Sequence, residues 1–230
     1  MTFGIVCAME EEIKKLDDAL DQKRTKDLKG IEFYSGQINH QSVVLVRSGI
    51  GKVEAGLTTA LLINEFNVDV VINSGSAGGI GKGLSVGDLV VSTETAYHDV
   101  NAIPAGYQYG QLPQQPARFK ASKKWGEAIV NASKQVGLNA KLGLIVSGDQ
   151  FIASQKTIDN ILKHFPDALS CEMEGAAVGQ VAHQFNVPYV VVRAMSDVGD
   201  ENANTSFDQF IIKAGKRSAE MLIHLFEYQN

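Results

Sequence analysis

Apolar positions along the chain fall into two alternating rhythms. Short β-branched or apolar runs predict strands at residues 2–8, 31–38, 42–48, 68–74, 88–92, 141–147, 168–171 and 189–194. Between several of these the apolar spacing lengthens to three or four. Ile13, Leu16 and Leu20 predict a helix over 10–20, and Val53, Leu57, Ala60 and Leu61 one over 52–66. Further helices are predicted over 122–136, 157–165 and 174–185. A last one, over 207–226, repeats at Phe207, Ile211, Ala214, Met221 and Leu225. Strands alternating with helices imply an α/β protein with a mixed, mostly parallel central sheet flanked by helices in three layers, αβα. The run Val190, Val191, Val192 reads as a strand covered on both faces.

One segment breaks the rhythm. Residues 98–119 hold Pro104, Pro113, Pro116, Tyr107 and Tyr109 among glycines and amides. A loop this long is a lid, a binding loop or an interface arm, or else a tolerated surface insertion.

Composition narrows the class of protein. A length of 230 residues fits one α/β domain over 1–230, and nothing in the pattern forces a second. A net charge of −5 with only five arginines argues against nucleic acid as a partner. There is no polybasic stripe for an anionic membrane and no apolar run near the ~20 residues of a spanning helix. The opening MTFGIVCAM lacks a basic flank and runs into Glu10, Glu11 and Glu12, so no signal peptide is expected. Cys7 and Cys171 fall in predicted strands and read as buried thiols of a reducing cytoplasm. The five histidines are scattered singly, so no metal site is expected.

Polar residues collect at predicted strand ends, where open α/β sheets bind ligands. The first strand runs into Met9–Glu12 and the fourth into SGSAGG at 74–79. The sixth runs into GDQFI at 148–152 and the seventh into EMEG at 172–175. The last strand runs into Arg193, Ser196 and Asp197. Each item has a plain alternative. Glu12 and Glu174 could merely favour the dipoles of their helices. SGSAGG could be a tight turn, and Arg193 with Asp197 a structural ion pair. Taken together, a carboxylate-rich cleft repels phosphate and suits a ligand rich in hydroxyls. It also suits a reaction that develops positive charge, as glycosidic cleavage does. Such a reaction wants one carboxyl group as acid for the leaving group and another as base for water.

The residues resemble one family along nearly the whole chain. GIVCAMEEE at 4–12, SGIGKVEA at 48–55, NSGSAGG at 73–79, YGQLP at 109–113, GLIVSGDQFI at 143–152, EMEGAA at 172–177 and FNVPYVVVRAMSD at 185–197 carry the likeness in order. The chain is similar to the 5′-methylthioadenosine/S-adenosylhomocysteine nucleosidases, and hence to a nucleoside phosphorylase-like fold. The resemblance implies hydrolysis of the N-glycosidic bond of these nucleosides, and of 5′-deoxyadenosine, in methionine salvage and methyl-cycle recycling. It implies no cofactor.

Roles follow from the resemblance residue by residue. Asp197 would protonate adenine at N7, and Glu12 would activate water, supported by Ser76, Arg193 and Ser196. Glu174 would bind the ribose hydroxyls beside Met173. Phe151 would stack on adenine, whose edge the Ile152 backbone would read. Met9, Ile50 and Phe207 would line the sugar and 5′-thio side. The implied homodimer would complete each site with Ala102, Ala105 and Pro113 from the partner's loop. Asn101 and Ala105 stand where the family often has an acid and a phenylalanine, which makes the expected 5′ pocket wider. Two rivals remain, a phosphorolytic nucleoside phosphorylase and a catalytically silent nucleoside-binding module.

Overall fold

A computed structural model describes residues 1–197 and 203–227, with side chains in the last segment from residue 210 onward. The chain begins β1 (Thr2–Cys7), α1 (Glu10–Asp18), β2 (Asp21–Leu28), β3 (Ile31–Ile38), β4 (Gln41–Arg47), α2 (Lys52–Phe66), β5 (Val70–Gly79) and β6 (Leu89–Tyr97). It continues β7 (Phe119–Lys120), α3 (Lys123–Gln135), β8 (Ala140–Ser147), α4 (Gln155–His164), β9 (Ala168–Glu172), α5 (Gly175–Gln184), β10 (Tyr189–Asp197) and α6 (Ala203–Glu227). Among the described residues no helix is long and apolar enough to cross a membrane.

Helices cover both faces of one sheet, as the alternating pattern predicts. On one side Leu16 of α1, Trp125 and Ile129 of α3, and Leu222 and Phe226 of α6 pack on Phe3, Ile5, Ile72 and Val190. On the other, Ala55 and Leu62 of α2 and Ala176 and Val178 of α5 pack on Val6, Val71 and Val191. Neighbouring strand residues thus point into opposite cores, which is why these strands read as unbroken apolar runs. A third cluster seats α4 on β8 and β9 through Ile158, Ile161, Leu144 and Ala168.

The sheet corrects the expectation of mostly parallel strands. Its order runs β2-β3-β4-β1-β5, and β5 then joins a closed ring of five strands, β5-β10-β6-β8-β9. Parallel pairs are β1–β4, β1–β5, β5–β10, β6–β8 and β8–β9. Antiparallel pairs are β2–β3, β3–β4, β6–β7, β6–β10 and β5–β9, so neither kind dominates. Two causes act. Tight turns at Lys29–Gly30 and Asn39–His40, with positive φ throughout, force β2, β3 and β4 into hairpins. Ring closure does the rest, because β6, β8 and β9 run against β5 and β10. β2 (DQKRTKDL) was not expected, since seven of its eight residues are exposed and it has no apolar alternation. SGSAGG is not a turn but the last part of β5.

This topology positions the site. β1, β5 and β10 deliver their C-terminal ends side by side. β9 arrives from the opposite direction, with Cys171 paired to Gly78. The polar strand ends therefore meet head-on around the last residues of β5.

Candidate active site

Glu12 takes its position from the junction of β1 and α1. Met9 is the extended N-cap residue, and Glu12 reaches back from the first turn. Its Oε2 accepts the backbone N–H groups of Ala8 at 2.9 Å and Met9 at 3.1 Å, donors that a helix start leaves open. Its Oε1 accepts the backbone N–H of Ser76 at 2.9 Å and the Ser76 hydroxyl at 3.0 Å. Glu10 and Glu11 are exposed and fit the plain dipole reading, whereas Glu12 is buried. Glycine in β5 permits this approach. A Cβ on Gly75 would lie 2.6 Å from Glu12 Oε1 and 2.5 Å from Arg193 Nη1, and one on Gly78 3.0 Å from Asp197 Oδ1.

Arg193 is 1% exposed and sits beneath the cleft. Its partners are Glu172 and Glu174, not Asp197. Nη2 donates to Glu172 Oε2, to Asn73 Oδ1 and, at 3.3 Å, to Glu174 Oε2. Nη1 donates to the Ser76 carbonyl at 3.3 Å. Burial acts to lower the guanidinium pKa, but Glu172, Glu174 and Glu12 outweigh it, so Arg193 stays charged. The structural Arg193–Asp197 pair that the sequence left open is absent among the described contacts. Asp197 is also buried, and its Oδ2 accepts the Ser196 hydroxyl at 2.9 Å.

Sequence reasoning assigned no role to Glu172, yet it is the anchor of this region. Its Oε2 accepts the N–H groups of Glu174 at 3.0 Å and Gly175 at 2.7 Å, and so caps α5. Its Oε1 accepts the Ser147 hydroxyl. The plain alternative for Glu174, an acid serving the start of its helix, thus fits Glu172 instead. Glu174 is left to face the cleft, its Oε1 accepting the Gly51 N–H at 2.9 Å. Burial, with Glu172 opposing Arg193, pushes the Glu174 carboxyl up to about 7. A signal for Glu172 existed in the sequence: in EMEG it is a second acid at the predicted end of a strand, two residues before Glu174.

The cleft these groups enclose is about 770 Å³, mouth included. Glu12, Ser76, Arg193, Ser196 and Asp197 line it, and Glu172 and Glu174 join them. Met9, Ile50, Phe151, Ile152 and Met173 supply apolar wall, with Phe151 and Ile50 about half exposed at the mouth. Every expected single-chain site residue whose side chain is described therefore faces one cavity. Phe207 lies near the start of α6, and its side chain falls outside the described residues. Ala102, Ala105 and Pro113 lie on the 98–118 loop and do not line the cleft of the chain that carries them.

Residues 2–227 match the phosphorylase superfamily. A 5′-methylthioadenosine/S-adenosylhomocysteine nucleosidase from Neisseria meningitidis, in complex with methylthio-immucillin-A, is 44% identical with a TM-score of 0.96, over 98% of each chain. The Streptococcus pneumoniae enzyme of the same name, with a transition-state inhibitor, is also 44% identical with a TM-score of 0.96, over 100% of each chain. A futalosine hydrolase mutant from Helicobacter pylori is 32% identical with a TM-score of 0.93, over 98% of each chain. The chain therefore belongs to the phosphorylase superfamily, whose α/β fold it shares, and within it to the 5′-methylthioadenosine/S-adenosylhomocysteine nucleosidases.

Proposed function

We propose that this protein hydrolyses the N-glycosidic bond of 5′-methylthioadenosine and S-adenosylhomocysteine, and of 5′-deoxyadenosine. The products are adenine and the 5-substituted ribose. The charge of the cleft carries this reading. Four carboxylates line it, those of Glu12, Glu172, Glu174 and Asp197. Arg193 is the only cation among the described lining residues, and Glu172 and Glu174 neutralise it. Such a site favours an oxocarbenium-like transition state and repels a phosphate nucleophile, which separates hydrolysis from phosphorolysis.

The bond between C1′ and the purine N9 breaks, and its electron pair passes to adenine. Asp197, steadied by Ser196, delivers a proton to N7 of the leaving base. Water adds to C1′ and gives its proton to Glu12. Three backbone N–H groups fix Glu12, so the Ser76 hydroxyl is the one donor that can turn aside to admit the water. Glu174 accepts hydrogen bonds from the ribose hydroxyls beside Met173. Phe151 stacks on the base, the Ile152 backbone meets its edge, and Met9, Ile50 and Phe207 enclose the sugar and 5′-thio side.

The same reading treats residues 1–230 as one nucleosidase domain in a homodimer. The partner's Ala102, the partner's Ala105 and the partner's Pro113 border the 5′ substituent. Support comes from apolar side chains left in solvent: Ile50 at the mouth of the cleft, Val53 and Leu57 on α2, and Ile103 on the 98–118 loop. Buried free thiols at Cys7 and Cys171 support a cytoplasmic setting in methionine salvage and methyl-cycle recycling. A substrate panel tests the assignment. Adenine should appear from methylthioadenosine, adenosylhomocysteine and 5′-deoxyadenosine. Cleavage of futalosine with all three left intact would overturn it.

A further inference from the structure

One half-buried charged cluster has no part in that chemistry. Lys52 opens α2, Asp99 follows β6 and Asp149 follows β8. Lys52 Nζ lies 2.6 Å from Asp99 Oδ2 and 3.5 Å from Asp149 Oδ2. Its ammonium group also stands 5.4 Å from the centre of the Tyr97 ring. Two backbone groups complete the knot. The Lys52 N–H donates to Asp149 Oδ1 at 2.9 Å, and the Asp149 N–H donates to Asp99 Oδ2 at 2.9 Å. Both the carboxylate and the amide of Asp149 are thus tied down, two residues before Phe151.

The adjacent Gly51 N–H is bonded to Glu174. Successive N–H groups at the start of one helix therefore hold the carboxylate at the ribose station and the carboxylate that begins the base-binding segment. Such a frame fixes the separation between the two stations.

We propose that Lys52 is a positioning residue: by bridging Asp99 and Asp149 it sets Phe151 and Ile152 at the spacing from Glu174 that an adenine nucleoside requires. This rests on the nucleosidase reading. Without the ammonium group, two carboxylates face each other across the knot, and repulsion drives the 148–152 segment off its station. Lys52 touches no ligand in this account, so its effect travels through Phe151.

The test uses the full chain and measures adenine affinity by calorimetry. Steady-state kinetics with methylthioadenosine and inhibition by 5-methylthioribose complete it. Lys52→Met should weaken adenine binding about 10-fold or more and raise KM by a similar factor, with a smaller effect on kcat. Inhibition by 5-methylthioribose, which occupies only the ribose side, should be unchanged. Lys52→Arg, which can still bridge both carboxylates, should restore adenine binding. In a Phe151→Ala background, Lys52→Met should add a smaller loss, the part carried by Ile152. Lys52→Gln, which also removes the ammonium charge, carries the same expectation should Lys52→Met fail to fold. Unchanged adenine affinity in a folded variant, or equal weakening of both products, would overturn the proposal. Failure of the nucleosidase reading would appear instead in the unsubstituted protein, which would neither bind adenine nor release it from methylthioadenosine.

Discussion

Glu12 and Ser76 are joined twice, for Glu12 Oε1 accepts both the backbone N–H of Ser76 at 2.9 Å and its hydroxyl at 3.0 Å. With Ala8 and Met9 on the other oxygen, both oxygens of the Glu12 carboxylate face donors. A glutamine cannot replace it, because either orientation turns an NH2 toward backbone N–H groups. Glu12→Gln should lower kcat by at least ~10²-fold and destabilise the fold by about 1–3 kcal/mol. Ser76→Ala, which removes only the movable donor, should cost less in both. Turnover and thermal unfolding of the two variants check this. A Glu12→Gln protein as active as the unsubstituted one would contradict the role of Glu12.

Asp197 stands apart from Arg193, whose charge Glu172 and Glu174 absorb. Asp197→Asn keeps the shape but cannot transfer a proton. It should lower kcat by at least ~10²-fold while binding of a substrate analogue is largely kept. A purely structural Asp197 predicts the reverse, a lowered melting temperature with near-normal turnover.

Glu174 gives the pH dependence of binding. Its carboxyl is raised to about 7, chiefly by burial. An ionised carboxylate accepts hydrogen bonds from ribose hydroxyls better than a protonated one does. KM should therefore be lowest above about pH 7 and rise as pH falls through that value and Glu174 takes up a proton. Glu174→Gln should show a raised KM at every pH and a flatter profile. A KM that rises instead toward alkaline pH would refute the assignment.

His98 makes the stability of the fold respond to pH in a definite sense. It is buried, its Nε2 has no hydrogen-bond partner among the described residues, and burial lowers its pKa against the opposing influence of Asp99 and Glu172. The unfolded chain, with a histidine pKa of ~6.5, then binds the proton first. The contribution of neutral His98 is present above ~6.5, is lost as pH falls from there toward the lowered folded value, and changes no further below it. His98→Gln should reduce the fall in melting temperature between about pH 8 and pH 5.5. Glu174 titrates in both proteins, so the difference between them isolates His98. Equal falls would show that His98 does not carry this dependence.

How much of this was legible in sequence depended on burial. Strands such as β10, with Val190 to Val192 covered on both faces, and helices with one apolar stripe announced themselves. β2 did not, because charged residues on both faces leave no period to read. Closure of the ring was invisible for a different reason: the antiparallel β5–β9 pairing joins residues far apart in sequence and has no local signature. At the site, residue types at strand ends pointed to a carboxylate cleft. They could not separate Glu12 from Glu10 and Glu11, since only the direction of α1 decides which glutamate turns inward. Nor could they say which acid neutralises Arg193. That needed the antiparallel pairing of β9 with β5, which brings Glu172 to the guanidinium.

The most direct test is a time course of adenine release from methylthioadenosine in phosphate-free buffer, repeated with phosphate added. The account predicts many turnovers per protein without phosphate, free methylthioribose as the second product, and no acceleration when phosphate is supplied. Release that requires phosphate and yields a sugar phosphate, or binding with no release of adenine, would contradict it.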